Sequence, residues 1–143
     1  MASPMKPGLD AFHKERSRCL DAFAELENAI YTLLELTGSK VGSEPLGGKI
    51  ELLSKAKAGP RYSKARKDRV QASLGRLREL AERRNDLVHS QLRLAIVEDE
   101  HWAQFTNVRQ RERGCGHPLQ LTLEGMRSLA RDSSRLAADL TVP

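Results

Sequence analysis

Residues 63–89, SKARKDRVQASLGRLRELAERRNDLVH, read as one long amphipathic helix and set the frame for the rest of the chain. Val70, Leu74, Leu77, Ala81, Arg84 and Val88 recur at intervals of four and three, with Leu80 and Leu87 beside them. That spacing lines one face of an α-helix. The helix opens on a dense group of cations, and Arg84 stands where the stripe calls for an apolar side chain. A guanidinium on an inward face needs a carboxylate, a subunit interface or a site to satisfy it.

Upstream, Phe12, Cys19, Leu20, Phe23, Leu26, Ile30, Leu33 and Leu34 follow the same period and predict a first helix over 9–37. Gly38 ends it, and Gly42, Ser43 and Pro45 mark a loop. A second, shorter helix is expected over 46–58, with Leu46, Ile50, Leu53 and Ala56 on one side, and Gly59-Pro60 stops it. Downstream of His89 the period changes. Leu92, Leu94 and Ile96 alternate with Arg93, Ala95 and Val97, a strand pattern. A polar turn over 98–101 and a returning strand over 102–109 complete a β-hairpin. Residues 110–118 read as a charged, Gly-rich loop. The last helix begins at Thr122, a good N-cap, with Glu124 in the favourable first turn. The fold class is therefore mainly α: a four- to five-helix antiparallel bundle with a small β-hairpin appendage. A single domain is expected over 1–143, with 1–8 a flexible N-terminus and 91–121 a hairpin and loop insertion.

The composition narrows the function classes. At 143 residues, 39% hydrophobic and 30% charged, the chain fits a soluble globular domain. It has no apolar run of the ~20 residues that span a bilayer. Its first ten residues carry Pro4, Pro7 and Gly8 and lack the apolar core of a signal peptide. A cytoplasmic protein without a membrane partner is expected. Two cysteines, Cys19 and Cys115, make a disulfide framework improbable in a reducing compartment. Cys115 and His117 with His101 fall short of the four ligands that structural zinc takes, so neither a metal nor a cofactor is expected.

The net charge of +5 is concentrated. Lys55, Lys57, Arg61, Lys64, Arg66, Lys67 and Arg69 are accompanied by one acid, Asp68. Arg76, Arg78, Arg83 and Arg84 form a second group, and Arg109, Arg111 and Arg113 a third. Clustered cations make an electrostatic footprint for a polyanion, and the first group is the candidate RNA-binding surface. The competing reading is a solvated face. Aromatic residues are only 4% of the chain. Trp102 and Phe105 have the rings to stack on bases, yet packing on the bundle is the simpler role. His13 and His101 read as surface residues.

Arg84-Asn85-Asp86-Leu87-Val88-His89 closes the long helix. Arg84 and His89 stand about 140° apart around the helix, whereas Asn85 and His89 share a face. Fraying at the helix end lets the long Arg84 side chain reach the imidazole. These residues resemble the signature of the HEPN superfamily, helical domains of ribonuclease toxins and RNA-processing systems. That signature is an Arg, four to six residues and a His, often with a polar residue after the Arg. The long first helix, the Leu46-Gly47 opening of the second and the Thr122-Leu123-Glu124-Gly125-Met126 start of the last are also similar. Arg111 and His117 fit the spacing too, but lie in the Gly-rich loop.

The resemblance implies a metal-independent endoribonuclease, a toxin or defence component, with Arg84, Asn85 and His89 as catalytic residues. His89 would exchange protons near neutral pH, and Arg84 would hold two phosphoryl oxygens. It also implies a homodimer with both motifs lining one cleft, products ending in a 2′,3′-cyclic phosphate and a 5′-hydroxyl, and a cognate antitoxin or regulatory protein as partner. Toxins of this kind that pair with nucleotidyltransferase antitoxins often carry Tyr-X-Tyr after the His; here Ser90-Gln91-Leu92 follows. Two alternatives stand beside this reading. One is a non-catalytic RNA-binding or dimeric scaffold domain. In the other, Arg84 forms an ion pair with Glu27 or Glu35, and His89 merely ends the helix.

Overall fold

The computed structural model describes residues 5–107 and 118–143. Four helices and three strands occur among them: α1 (Leu9–Thr37), α2 (Leu46–Lys55), α3 (Lys64–His89), β1 (Ser90–Val97), β2 (Glu100–Asn107), β3 (Leu119–Leu121) and α4 (Leu123–Thr141). The protein is mainly helical with a small antiparallel sheet, as the hydrophobic periods require. No helix among the described residues is long and apolar enough to cross a membrane.

Local sequence explains the helix ends. Gly38 takes a left-handed φ of 74° and its N–H returns to the last carbonyls of α1, the C-terminal cap that glycine adopts without strain. The Ser63 and Thr122 hydroxyls accept from the N–H of Arg66 and Gly125, capping α3 and α4. Helix α2 stops at Lys55, three residues before the expected end. Ala56 turns extended, and Gly59 and Tyr62 form a bridged turn that buries the Tyr62 ring.

The direction of the helices differs from a fully antiparallel bundle. Helix α3 runs against α1: Arg16 near the start of α1 reaches Leu87, and Arg61, just before α3, reaches Glu35. It also runs against α2, through Gln71–Ser54 and Arg78–Glu51, and against α4, through Arg76–Asp132 and Arg66–Val142. Helices α1 and α4 are instead parallel. Glu15 pairs with Arg127, Cys19 donates to the Met126 carbonyl, and Ala22 and Glu25 share a shallow groove with Ala130 and Ser134. The cause is topological. Helix α2, which also runs against α3, shares the direction of α1, so alternation breaks between the first two helices; the sheet then reverses the chain between α3 and α4, and α4 takes the direction of α1.

The core lies between these helices, around Phe12, Phe23, Leu26 and Ile30 of α1, Leu77 of α3 and Met126 of α4. Burying each such side chain contributes on the order of 1.5–3 kcal/mol. Phe105 and Leu92 extend the core onto one face of the sheet.

The hairpin is tighter than its sequence suggests. Val97 faces Glu100 across a two-residue turn, and Glu98 and Asp99 both take left-handed φ, 50° and 64°. A type I′ turn needs two such residues. The third strand, β3, pairs with β2 from Phe105↔Leu119 to Ala103↔Leu121. Three residues are too few to show an alternation, so it was not visible in the sequence. Two residues of the N-terminal segment contact the hairpin: Lys6 donates to the Asp99 carbonyl, and His101 Nδ1 bonds the Pro7 carbonyl at 2.8 Å. The third arginine group and the expected Cys115 and His117 positions lie outside the described residues, as do 108–109 of the returning strand.

Candidate functional site at the end of helix α3

Helix α3 passes into strand β1 without an intervening loop: His89 is its last residue and Ser90 the first of the strand. The last carbonyls of a helix lack intrahelical donors. Here Arg16 of α1 supplies a donor to one of them, Leu87 O, and to the Ser90 carbonyl just past the helix. Its Nε donates to the Leu87 carbonyl at 3.0 Å, and its Nη2 donates both to that carbonyl and to Ser90 O at 2.9 Å. The guanidinium also lies 5.9 Å from the centroid of the buried Phe105 ring, within cation–π range. One cation thus joins α1, α3, β1 and β2, and its charge meets the negative end of the α3 dipole.

The buried face of α3 changes over this last stretch. Up to Ala81 the inward residues follow the expected stripe: Val70, Leu74, Leu77, Leu80 and Ala81 are buried. The stripe should then run through Arg84 and Val88. Instead Arg84 is half-buried, Val88 is 38% exposed, and the buried residues are Asp86 and Leu87. Asp86 points to the other flank, where the sheet covers the helix. Its carboxylate lies 3.4 Å from Arg83 and hydrogen-bonds the Asn107 side chain at the end of β2. Burial pushes the Asp86 carboxyl above its usual range, and Arg83 opposes that shift. Placing Arg84 on the fully inward stripe is thus incorrect: the packing rotates around the helix before the helix ends.

The motif residues stand as follows. Arg84 Nη1 approaches Asn85 Oδ1 at 3.5 Å, the outer limit of a hydrogen bond. Asn85 and His89 are exposed, and no hydrogen bond joins Arg84 to His89 among the described residues. Neither proposed acid partner reaches Arg84. Glu27 pairs with Lys49 at 2.7 Å, and Glu35 is an exposed residue whose backbone carbonyl receives Arg61. The other members of that arginine group are occupied: Arg76 by Glu79 and Asp132, Arg78 by Glu51, Arg83 by Asp86. Among the described residues Arg84 has no carboxylate within ion-pair distance.

The cationic cluster lies elsewhere. Lys55, Lys57, Arg61, Lys64 and Arg69 are exposed and Arg66 and Lys67 half-buried, all around the start of α3. From Arg66 to Arg84 the helix rises about 27 Å, at 1.5 Å per residue. The eighteen steps from one to the other make five full turns of roughly 3.6 residues, so both project from one side of the helix. Arg66 and Arg69 both donate to the Val142 carbonyl, at 3.3 and 3.1 Å. The two candidate sites occupy opposite ends of one helix and do not merge.

Other chemistry-bearing residues are engaged in structure. Cys19 is buried; burial, with Glu15 nearby, raises its thiol to about 12. Phe105 is fully buried and Trp102 half-buried, so Phe105 serves packing, the simpler of its two readings. No group of three or more His, Cys, Asp or Glu able to hold a metal occurs among the described residues. The residues that sequence reasoning missed are Arg16 and Asp86. Arg16 gave no local signal, since its partners lie more than seventy residues away. Asp86 was visible as an acid beside Leu87, but only the sheet makes its side of the helix an inside. No protein-family model, curated protein or solved structure matches this chain.

Proposed function

We propose that the protein is a metal-independent endoribonuclease of HEPN type that acts as a homodimer, with Arg84, Asn85 and His89 at its centre. The observation that carries this reading is Arg84 itself: a half-buried guanidinium without a carboxylate within ion-pair distance among the described residues, five positions before an exposed histidine, on a helix stripe that runs out uncovered. A charge left in that state has binding capacity to spare for a phosphate. A second copy packed over Arg84 and Val88 would cover the open stripe and bring two motifs to one cleft.

The chemistry follows from the side chains. The RNA 2′-hydroxyl oxygen forms a bond to the adjacent phosphorus while the bond from phosphorus to the 5′-oxygen breaks. His89 exchanges the protons, removing one from the 2′-oxygen or delivering one to the departing 5′-oxygen. Arg84 stabilises the charge gathering on the phosphoryl oxygens, and Asn85 orients the phosphate or the imidazole. The products end in a 2′,3′-cyclic phosphate and a 5′-hydroxyl. Lys55, Lys57, Arg61, Lys64, Arg66, Lys67 and Arg69 hold the RNA backbone at the far end of α3. A toxin or defence role, with an antitoxin or regulatory protein as partner, belongs to the same proposal.

The second reading is a non-catalytic RNA-binding or scaffold domain. It is favoured by the exposed Lys55, Lys57 and Lys64, which need no histidine to bind phosphates. Cleavage and binding by wild type, His89→Ala and Arg84→Ala separate the two. Under the nuclease reading both variants bind RNA but lose cleavage, by at least the 10²-fold typical of general acid–base catalysis. If all three proteins bind equally and none cleaves, the binding-module reading replaces it.

A further inference from the structure

The two main-chain carbonyls that bracket the Val88-His89 segment, Leu87 O and Ser90 O, are held by one side chain, Arg16. We infer that Arg16 is the positioning residue of His89: its guanidinium fixes the backbone from which the imidazole projects, and so fixes where the imidazole meets its substrate. This rests on the nuclease reading for its functional meaning, and on the contacts alone for its structural meaning.

Three features support it. The junction needs an external brace, because a helix ends and a strand begins with no loop between them, and the orphaned helical carbonyls require donors. The brace has the shape for the task. A planar fork donates in fixed directions from Nε and Nη2, whereas an ammonium is a point donor on a flexible stem. The brace is itself anchored, since the guanidinium rests against Phe105, which is fully buried. His89 has no hydrogen-bond partner of its own among the described residues and is exposed. The backbone therefore fixes the origin and Cα–Cβ direction of the side chain, with no neighbouring hydrogen bond adding to that restraint. Arg16 stands 71 positions from Leu87 in sequence, so the contact also ties the motif to the first helix. Arg16 touches neither substrate nor reacting atoms in this scheme and acts through His89 alone.

The test compares wild type, Arg16→Gln and Arg16→Lys, with Arg76→Ala as a control that breaks an ion pair away from the junction. Folding is checked by circular dichroism and thermal melting. Cleavage of a single-stranded oligoribonucleotide is read as separate kcat and KM. The expected result is a fall in kcat of about 10²-fold for Arg16→Gln, the effect of a misplaced catalytic group, with KM unchanged. Arg16→Lys should recover part of kcat, and Arg76→Ala should leave kcat intact. Wild-type kcat in a folded Arg16→Gln, or an equal loss of kcat in Arg76→Ala, overturns the assignment. If the wild type cleaves no RNA, the nuclease reading has failed, and NMR relaxation dispersion at the His89 ring decides the positioning role. New exchange at His89 in Arg16→Lys, absent from Arg76→Ala, supports it. Unchanged His89 dynamics overturns it. Arg16→Lys keeps a donor and a positive charge at the junction, so it serves where Arg16→Gln fails to fold.

Discussion

At Asp86 a carboxylate is held between Arg83, the Asn107 side chain and the body of the helix, and burial raises its pKa. The sign of the resulting pH dependence is fixed. A folded-state pKa above the unfolded value means that folding favours the protonated carboxyl, so this residue's contribution is largest at low pH. It is lost as pH rises through the folded value. Asp86→Asn mimics the protonated form. The variant should melt higher than wild type at pH 7, by less than an unpaired buried carboxylate would give, because Arg83 offsets part of the cost. The gap should close as the pH falls below the carboxylate range. Paired thermal melts from pH 3 to pH 8, with wild type as reference, measure it; a gap that widens toward acid would reverse the argument. The same scale separates the motif residues by role. His89 is exposed, so His89→Ala should change the unfolding free energy by no more than the ~0.5 kcal/mol typical of surface changes. Arg84→Ala removes no carboxylate pairing found among the described residues and should also leave the fold intact.

At the scale of elements, α3 carries two cationic regions that differ in kind. The start of the helix is an open group of lysines and arginines, whereas Arg76, Arg78 and Arg83 are already paired with carboxylates. Replacing Lys55, Lys57, Lys64 and Lys67 with Gln should therefore weaken RNA binding across all sequences and flatten its salt dependence. Each lost phosphate contact lowers the slope of log affinity against log salt by about 0.7 for a single strand. Replacing Arg76 and Arg78 should change that slope little. Affinities measured at several salt concentrations decide this, and an unchanged slope in the lysine variant would leave the cluster as a solvated face. Much of this architecture was legible in the sequence. The three long helices follow from their period and the caps at Gly38 and Thr122 from capping chemistry, whereas Ser63, which reads as the first residue of α3, is its cap; Leu92, Leu94 and Ile96 announce the first strand. The turn reads over 98–101, but its two-residue form at Glu98-Asp99 hid because neither residue is the Gly or Asn that usually signals a left-handed turn. Strand β3 hid because three residues carry no periodicity.

On the scale of the molecule, what the sequence could not convey is how the elements face one another. The parallel setting of α1 and α4 follows from α2 sharing the direction of α1, which no period or cap announces, and the rotation of the buried face from Ala81 to Asp86 depends on the sheet covering the far flank of α3. Both leave Arg84 and Val88 on an open stripe at one end of the bundle. The proposed dimer uses this stripe. Light scattering should give about twice the 16.0 kDa chain mass at micromolar concentration, and Val88→Asp should return the protein to a monomer with its helical content unchanged. A monomeric wild type would remove the shared cleft from the account.

In the proposed nuclease, RNA supplies its own nucleophile and His89 moves the protons. The most direct measurement uses an end-labelled single-stranded oligoribonucleotide in excess EDTA, beside the same oligonucleotide with a 2′-deoxy sugar at the cleaved position. Analysis of the fragment ends completes it. The account predicts EDTA-insensitive cleavage leaving 2′,3′-cyclic phosphate and 5′-hydroxyl ends, an uncut 2′-deoxy substrate, and no cleavage by His89→Ala. Fragments with 5′-phosphate ends, loss of cleavage in EDTA, or a His89→Ala protein that cleaves as wild type does would contradict it.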